Sequence, residues 1–266
     1  MMLPYVVLFG IKINMYKFFF YMGLITVPII LFALRNKFGF TKAQALKYTV
    51  ITLIFGLFAA YLTAVLKRTM LGFASGGVYS DSEVLRNYGI PIFLPVFWLI
   101  VCALLKDNFR KVTDYIAPCV YSVMTCVKIG CAFWGCCYGA QAEHGLWNMK
   151  LGYNTFPVQL YDALTSFAIV IICFILIKIF GSKHYGYVYP IGGILFAITK
   201  GFWENYRIHD SVYEQNFLNS GLTLWQYWLL ALLIGCVIWI IIVYRKERKE
   251  NNTSSNINKR KKQRKY

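Results

Sequence analysis

The chain has 266 residues, of which 58% are apolar and 15% charged, against roughly 25% charged in an ordinary soluble domain. Its mean hydropathy of +0.52 is spread along the whole length, which excludes a single anchor on a soluble domain, a disordered chain and a disulfide scaffold. The net charge of +17 does not point to nucleic acid, because 10 of the 28 Lys and Arg lie between Arg245 and Lys265 and the rest is only mildly basic.

In chain order, charge-free runs cover residues 18 to 34, 48 to 66, 87 to 105, 163 to 177, 185 to 199 and 215 to 244. Each is near the ~20 residues of a membrane-crossing helix. Residues Tyr115 to Phe133 are interrupted only by Lys128 and add a further helix if that Lys faces protein or water. The expected fold is an all-α integral membrane protein of seven helices, with a membrane domain over residues 1–244 and a basic tail over 245–266. That tail, with its Lys259-Arg260-Lys261-Lys262 run, has no apolar face and reads as a disordered segment beside anionic headgroups. The first basic residue, Lys12, follows an apolar start without the pattern of a secretory signal, so the N-terminus is expected to stay on the mature protein.

Charge in the connecting loops alternates. Arg35, Lys37, Lys42 and Lys47, then Lys106, Arg110 and Lys111, then Lys178 and Lys183, then the tail, hold 19 of the 28 basic residues and share one side. Cytoplasmic loops collect Lys and Arg, so the N-terminus is expected outside and the C-terminus in the cytoplasm. Asp81, Glu83, Glu143, Asp210 and Glu214 fall in the opposite loops, and chemistry is expected on that face. The absence of a fixed repeat or of paired broken helices argues against a transporter.

Five charged residues sit where an apolar helix should have none: Lys128, Asp162, Lys200, Glu204 and Arg207. Each must have a partner, a wet cavity or a task, since a charge in the bilayer costs about 2.5–3.5 kcal/mol. Lys200, Glu204 and Arg207 are spaced to share one helix face as a cation, anion, cation row. Such a row can hold a phosphate, or can be one strand of a structural ion-pair network. Gly130, Gly135 and Gly139 recur beside Lys128, allowing backbone to approach a lipid head or simply another helix. Pro157 suits the first turn of a helix and brings Gln159, Tyr161 and Asp162 into the membrane behind it. Eight Cys lie mostly within apolar runs, and the close cluster of Cys131, Cys136 and Cys137 has no His or carboxylate at metal-ligand spacing. Neither a metal nor a disulfide framework is expected.

These segments resemble the prolipoprotein diacylglyceryl transferase family. Lys128-Ile-Gly-Cys-Ala-Phe-Trp-Gly-Cys-Cys-Tyr-Gly139 looks like its G-R-I-G-C-F-x-x-G-C-C-Y-G signature, behind Asp114-Tyr-Ile-Ala-Pro118 for D-x-I-A-P. Phe156 to Asp162 is similar to H-P-x-Q-L-Y-E, Lys200 to Arg207 to R-x-x-x-E-x-x-R, and Gly221 to Gln226 to the G-L-[ST]-x-x-Q that opens the last helix. The resemblance implies a bacterial plasma-membrane enzyme without cofactor that moves the diacylglyceryl group of phosphatidylglycerol onto the lipobox cysteine of a prolipoprotein signal peptide. By position it implies phosphate-holding roles for Lys128, Lys200 and Arg207, an orienting acid at Glu204, and substrate contacts at Gln159, Tyr161, Asp162, Gly130, Gly135 and Gly139.

The chain departs from the pattern. Lys128 and Lys200 stand for Arg, giving a point charge in place of a planar fork, Phe156 stands for His and Phe58 for an Arg of helix two. Tyr88, before Gly89-Ile90, stands nearest the His that the family offers as base, and a phenol with a pKa near ~10 is a poor base without a cation beside it. His144 and His209 lie on outer loops and are alternatives for the base, although a lone loop His is ordinarily solvated. These losses leave a second reading open, a paralogue that binds phospholipid or lipoprotein without catalysis.

Overall fold

Helix α4, Phe109–Trp134, carries Thr, Tyr, Ser, Lys and Asp among its apolar residues, and this is the helix that the others surround. In the computed structural model, which describes residues 4–8, 11–77, 87–180, 184–209 and 211–263, 72% of its most apolar stretch is buried, against 22–33% for the other long helices. Polar side chains on α4 find partners there. Tyr115 Oη donates to Leu31 O at 2.5 Å and Ser122 Oγ to Thr26 Oγ1 at 2.9 Å, both on α1, Met15–Leu34. Outward faces carry Ile25, Ile29, Ile54, Leu164, Ile179 and Ile242 in the open, a surface that matches hydrocarbon rather than water.

Around α4 stand α2, Lys42–Ala74, α3, Ile90–Leu105, α5, Val158–Phe180, α6, Val188–Glu204, and α8, Leu224–Gln263. Five helices, α1, α2, α4, α5 and α8, are long and apolar enough to cross a membrane. The other two expected crossings, α3 and α6, have 16 and 17 residues. Two hairpins depart from the all-α expectation: β1, Tyr5–Leu8, with β2, Ile11–Asn14, and β3, Gln141–Asn148, with β4, Tyr153–Thr155. Both are antiparallel, running Tyr5↔Asn14 to Leu8↔Ile11 and Gln141↔Thr155 to Asn148↔Tyr153.

Capping sets the boundaries that apolar runs miss. Thr41 and Gln44 form a reciprocal capping box, so α2 begins six residues before residue 48, among Lys and Gln side chains that suit a helix. The run from 215 to 244 is broken. A short α7, Val212–Gln215, and a 3₁₀ turn over Phe217–Asn219 precede Gly221, whose φ of +77° reverses the chain. Thr223 and Gln226 then bond reciprocally at 3.2 and 2.9 Å and start α8. At its far end α8 stays helical through the basic stretch to Gln263, where the sequence suggested disorder. Glu247 holds it there, accepting from Tyr187 Oη at 2.9 Å and lying 3.4 Å from His184 Nδ1. Asp81, Glu83, Arg86, Lys183 and Asp210 lie outside the described residues.

Asp114 ties α4 to α6. Its buried carboxylate accepts from the backbone N–H of Gly186 at 2.6 Å, Tyr187 at 3.3 Å and Tyr189 at 3.1 Å. It thus supplies from a different helix the acceptor that the N-terminus of α6 lacks in its own sequence. Asp114→Ala leaves those donors unpaired in apolar surroundings and is expected to cost about 2–3 kcal/mol. Thermal denaturation in detergent will show the lowered midpoint, and an unchanged midpoint would contradict this role.

Candidate functional site

The charged residues picked out by sequence meet at one end of the bundle. Lys128 stands near the C-terminal end of α4, Asp162 in the first turns of α5, and Lys200 and Glu204 at the end of α6. Successive helices run in opposite directions, so the end of one lies beside the beginning of the next. Asp162 Oδ2 is 3.1 Å from Lys128 Nζ and 2.5 Å from Lys200 Nζ. Lys200 Nζ is 3.0 Å from Glu204 Oε2, and Arg207 completes the row with one guanidinium nitrogen 3.4 Å from Glu204 Oε1. All five side chains are buried.

Tyr88 lies in their midst, in a 3₁₀ turn over Asn87–Gly89 ahead of α3. Its hydroxyl oxygen accepts from Lys128 Nζ at 3.1 Å and from Arg207. Lys128, Lys200 and Arg207 lie 4.9, 5.1 and 5.5 Å from its ring centre, so the ring face shares their charge. Behind it the ring stacks on Trp225 at 4.5 Å. The cations beside Tyr88 are Lys128, Lys200 and Arg207.

Three residues of the site escaped sequence reading. His209 is buried rather than solvated, with Nε2 2.8 Å from Glu204 Oε1 and Nδ1 3.1 Å from Glu214 Oε1. Glu214, on α7, also accepts from Trp225 Nε1 and lies 2.9 Å from Lys67 Nζ. Lys67 is itself 1% exposed within α2. A signal for Lys67 was available, since a Lys two turns before the end of an apolar helix needs a partner. His209 and Glu214 gave none, because their meeting depends on the path of the loop. Among the described residues the cluster sets four Lys and Arg, Lys67, Lys128, Lys200 and Arg207, against three carboxylates, Asp162, Glu204 and Glu214. Their excess is positive before His209 is counted.

The glycines play separate parts. Gly135 ends α4 with a φ of +72° and Gly139 lies against the Arg207 strand, where a Cβ would sit 2.6 Å from Tyr206 O. Gly139 N donates to Phe156 O at 2.9 Å and Ile208 N to Tyr138 O at 3.1 Å, which pins the signature segment to the charge row. Gly130 instead faces Tyr16 and Phe19 of α1 and serves helix packing. Tyr161 is also outside the cluster, half-exposed and stacked on Trp203 at 4.7 Å and on Phe156 at 5.3 Å. Phe58 is exposed on α2 and packs on Phe97.

Gln159 is fully buried, and neither its amide oxygen nor its nitrogen has a partner among the described residues. Asp162 Oδ1 and Arg207 Nε are likewise unpaired among them. Orphaned polar atoms at this density mark a place where a polar ligand or water belongs. An open cleft is lined by Ala140, Phe156, Tyr206, Arg207, His209 and Gln215. An apolar groove between α3 and α8 begins at Pro91, three residues beyond Tyr88, and passes Leu232, Cys236 and Trp239. Among the described residues, the one group of His, Cys, Asp or Glu side chains close enough to share a metal ion is Cys131, Cys136 and Cys137.

Apolar helices around a buried cluster of charged side chains define a multi-pass membrane protein. The chain belongs to the prolipoprotein diacylglyceryl transferase family, whose model matches residues 4–244. It is similar to phosphatidylglycerol-prolipoprotein diacylglyceryl transferase 2 of Clostridium perfringens (strain 13 / Type A), with 22% identity over 259 residues, 91% of this chain and 96% of that protein. The family is one of transferases that act on prolipoproteins.

Burial opposes a charge on His209, but the carboxylates of Glu204 and Glu214 outweigh it and raise its pKa, while burial at Glu214 is outweighed by His209 and Lys67, which bring that carboxyl to about 2. Only the imidazolium offers a donor to each carboxylate. A raised folded-state pKa gives stability that is complete below the ordinary His value of about 6.5 and is lost as pH rises through the raised value. Wild-type protein is therefore expected to exceed His209→Gln in thermal midpoint at about pH 6, the difference shrinking towards about pH 9. A difference independent of pH would contradict the paired imidazolium.

Proposed function

We propose that this protein transfers the diacylglyceryl group of phosphatidylglycerol to the lipobox cysteine thiol of a prolipoprotein, at the outer leaflet of a bacterial plasma membrane. The observation that carries this reading is the buried excess of cations around Tyr88, next to Gln159 atoms that have no partner among the described residues. In this arrangement all seven long helices cross the bilayer, with the N-terminus outside and the C-terminus in the cytoplasm, in keeping with the alternating basic loops. The basic end of α8 then lies along the anionic inner surface.

The donor's phosphate replaces the hydroxyl of Tyr88 as acceptor from Lys128 and Arg207, and Lys200 adds a third cation through the shared Asp162. Gln159 gives its amide nitrogen to a headgroup oxygen, and the acyl chains lie along the groove from Pro91 to Trp239. The acceptor thiolate attacks the glyceryl carbon that bears the phosphate. A C–S bond forms, the C–O bond breaks, and its electron pair leaves on the phosphate oxygen of glycerol phosphate. Negative charge thus grows on the oxygen that Lys128 and Arg207 already face, so the cations are worth more in the transition state than in the ground state. Glu204, fixed between Lys200, Arg207 and His209, holds them in place.

A specific feature favours the second reading, a protein that binds phospholipid without transfer. Each of the four cations already faces a carboxylate, and Phe156 fills the place where the family motif has a His.

Mass spectrometry of a lipobox peptide incubated with the purified protein in phosphatidylglycerol vesicles separates the two. Transfer adds a diacylglyceryl mass to the peptide cysteine, and Lys128→Ala or Glu204→Ala is expected to slow it by at least about 100-fold. Retention of phospholipid with no mass gain in the wild type would favour the binding reading.

A further inference from the structure

The transfer just proposed needs a thiolate at neutral pH, and the charge cluster supplies no group suited to make one. Tyr88 is the nearest candidate, and its hydroxyl oxygen is already turned to two cations. Beyond Lys128 along the chain come three thiols that the ion pairs do not use. Cys131 is on the last turn of α4, one turn beyond Lys128, while Cys136 and Cys137 follow the reversal at Gly135. That reversal folds the chain back, and Cys137 is held at a φ of +58°. The three sulfur atoms lie within 4.8 Å of one another, and all three thiols are free.

We propose that Cys131, Cys136 and Cys137 bind a zinc ion through three thiolates, and that its fourth position takes the sulfur of the acceptor cysteine. This inference rests on the transferase reading for its second half and on geometry alone for its first. Zinc–sulfur bonds of about 2.3 Å in a tetrahedral site put sulfurs about 3.8 Å apart, a closure of about one ångström from the present spacing. Side-chain rotation covers that distance. A disulfide would require a separation of about 2 Å instead. Three ligands and one open position are the arrangement of catalytic rather than structural zinc, and thiolate ligands select a soft ion.

Placement favours delivery to the lipid. Two residues beyond Cys137, Gly139 pairs with Arg207, and Lys128 stands one turn before Cys131 on α4. A trithiolate zinc centre carries one negative charge. The sulfur of the incoming cysteine gives its proton to water when it ligates the ion, since a coordinated thiol is deprotonated outright. Its electron pair then forms the C–S bond as the C–O bond to phosphate breaks. The thioether that results is neutral and leaves the ion, whose oxidation state does not change. Motif reading passes over this site because it looks for His or carboxylate partners, and here the ligands are all sulfur.

The test uses the full chain purified in detergent, loaded with zinc and, separately, with cobalt(II) as a visible probe. About one metal per chain is expected, with a sulfur-to-cobalt charge-transfer band whose strength reports three sulfurs. Cys131→Ser and Cys137→Ser are expected to weaken metal binding at least tenfold, and Cys126→Ser, outside the cluster, to leave it unchanged. Should the serine variants fail to fold, the band of the wild-type cobalt form still counts its sulfur ligands. Adding a lipobox peptide should strengthen the band, and the same peptide with Ser for Cys should not. Substoichiometric metal after loading, or a band that survives Cys137→Ser, overturns the site. Metal bound with no response to the peptide overturns thiol delivery. Transfer by metal-free protein overturns the inference while the transferase reading stands, and a peptide-responsive metal site without transfer does the reverse.

Discussion

Two lysines share one buried carboxylate in this protein, and the site follows from that arrangement. Asp162 Oδ2 faces Lys128 from α4 and Lys200 from α6, so three helices are joined at a point where water is scarce. Removing a charge from water costs several kcal/mol even after relaxation, and the cost is met only while each partner stays in place. Such a network contributes little net stability compared with apolar packing. Its retention therefore needs another reason, and the surplus of cations over carboxylates supplies one. A cluster with one cation too many is completed by an anion.

The surroundings keep that surplus usable. Gly139 brings the signature segment against the Arg207 strand, Trp225 backs the Tyr88 ring, and Glu214 closes the far side by taking Lys67, His209 and Trp225 together. Cations thus face one another around a phenol hydroxyl, spaced by carboxylates. Lys at positions 128 and 200 gives charge without the fixed fork of Arg, so orientation falls to Arg207 and Gln159.

Much of this was legible in the sequence because burying a charge needs a reason that spacing can reveal. Lys128, Asp162, Lys200, Glu204 and Arg207 stood out against apolar runs, and the structure brings all five together. Tyr161 lies apart from the charge cluster for a local reason: one residue before Asp162 on a helix, it points to a different face and stacks on Trp203. His209 and Lys67 were missed because Glu214, which joins them, reaches the site only through the path of the segment between α6 and α7. Hairpins were missed too, since strands of three to eight residues carry too little pattern to rise above an apolar background. Helix ends moved wherever Thr or Asn caps, rather than hydropathy, decide them.

The central claim is that the cluster exists to hold the phosphate of a lipid, and native mass spectrometry of the protein released from mixed micelles tests it most directly. Wild-type protein is expected to retain phosphatidylglycerol in preference to diacylglycerol with the same chains, and Arg207→Gln to lose that preference at least tenfold while keeping its fold. Equal retention of the two lipids by the wild type, or an undiminished preference in the variant, would show that the charges serve packing alone.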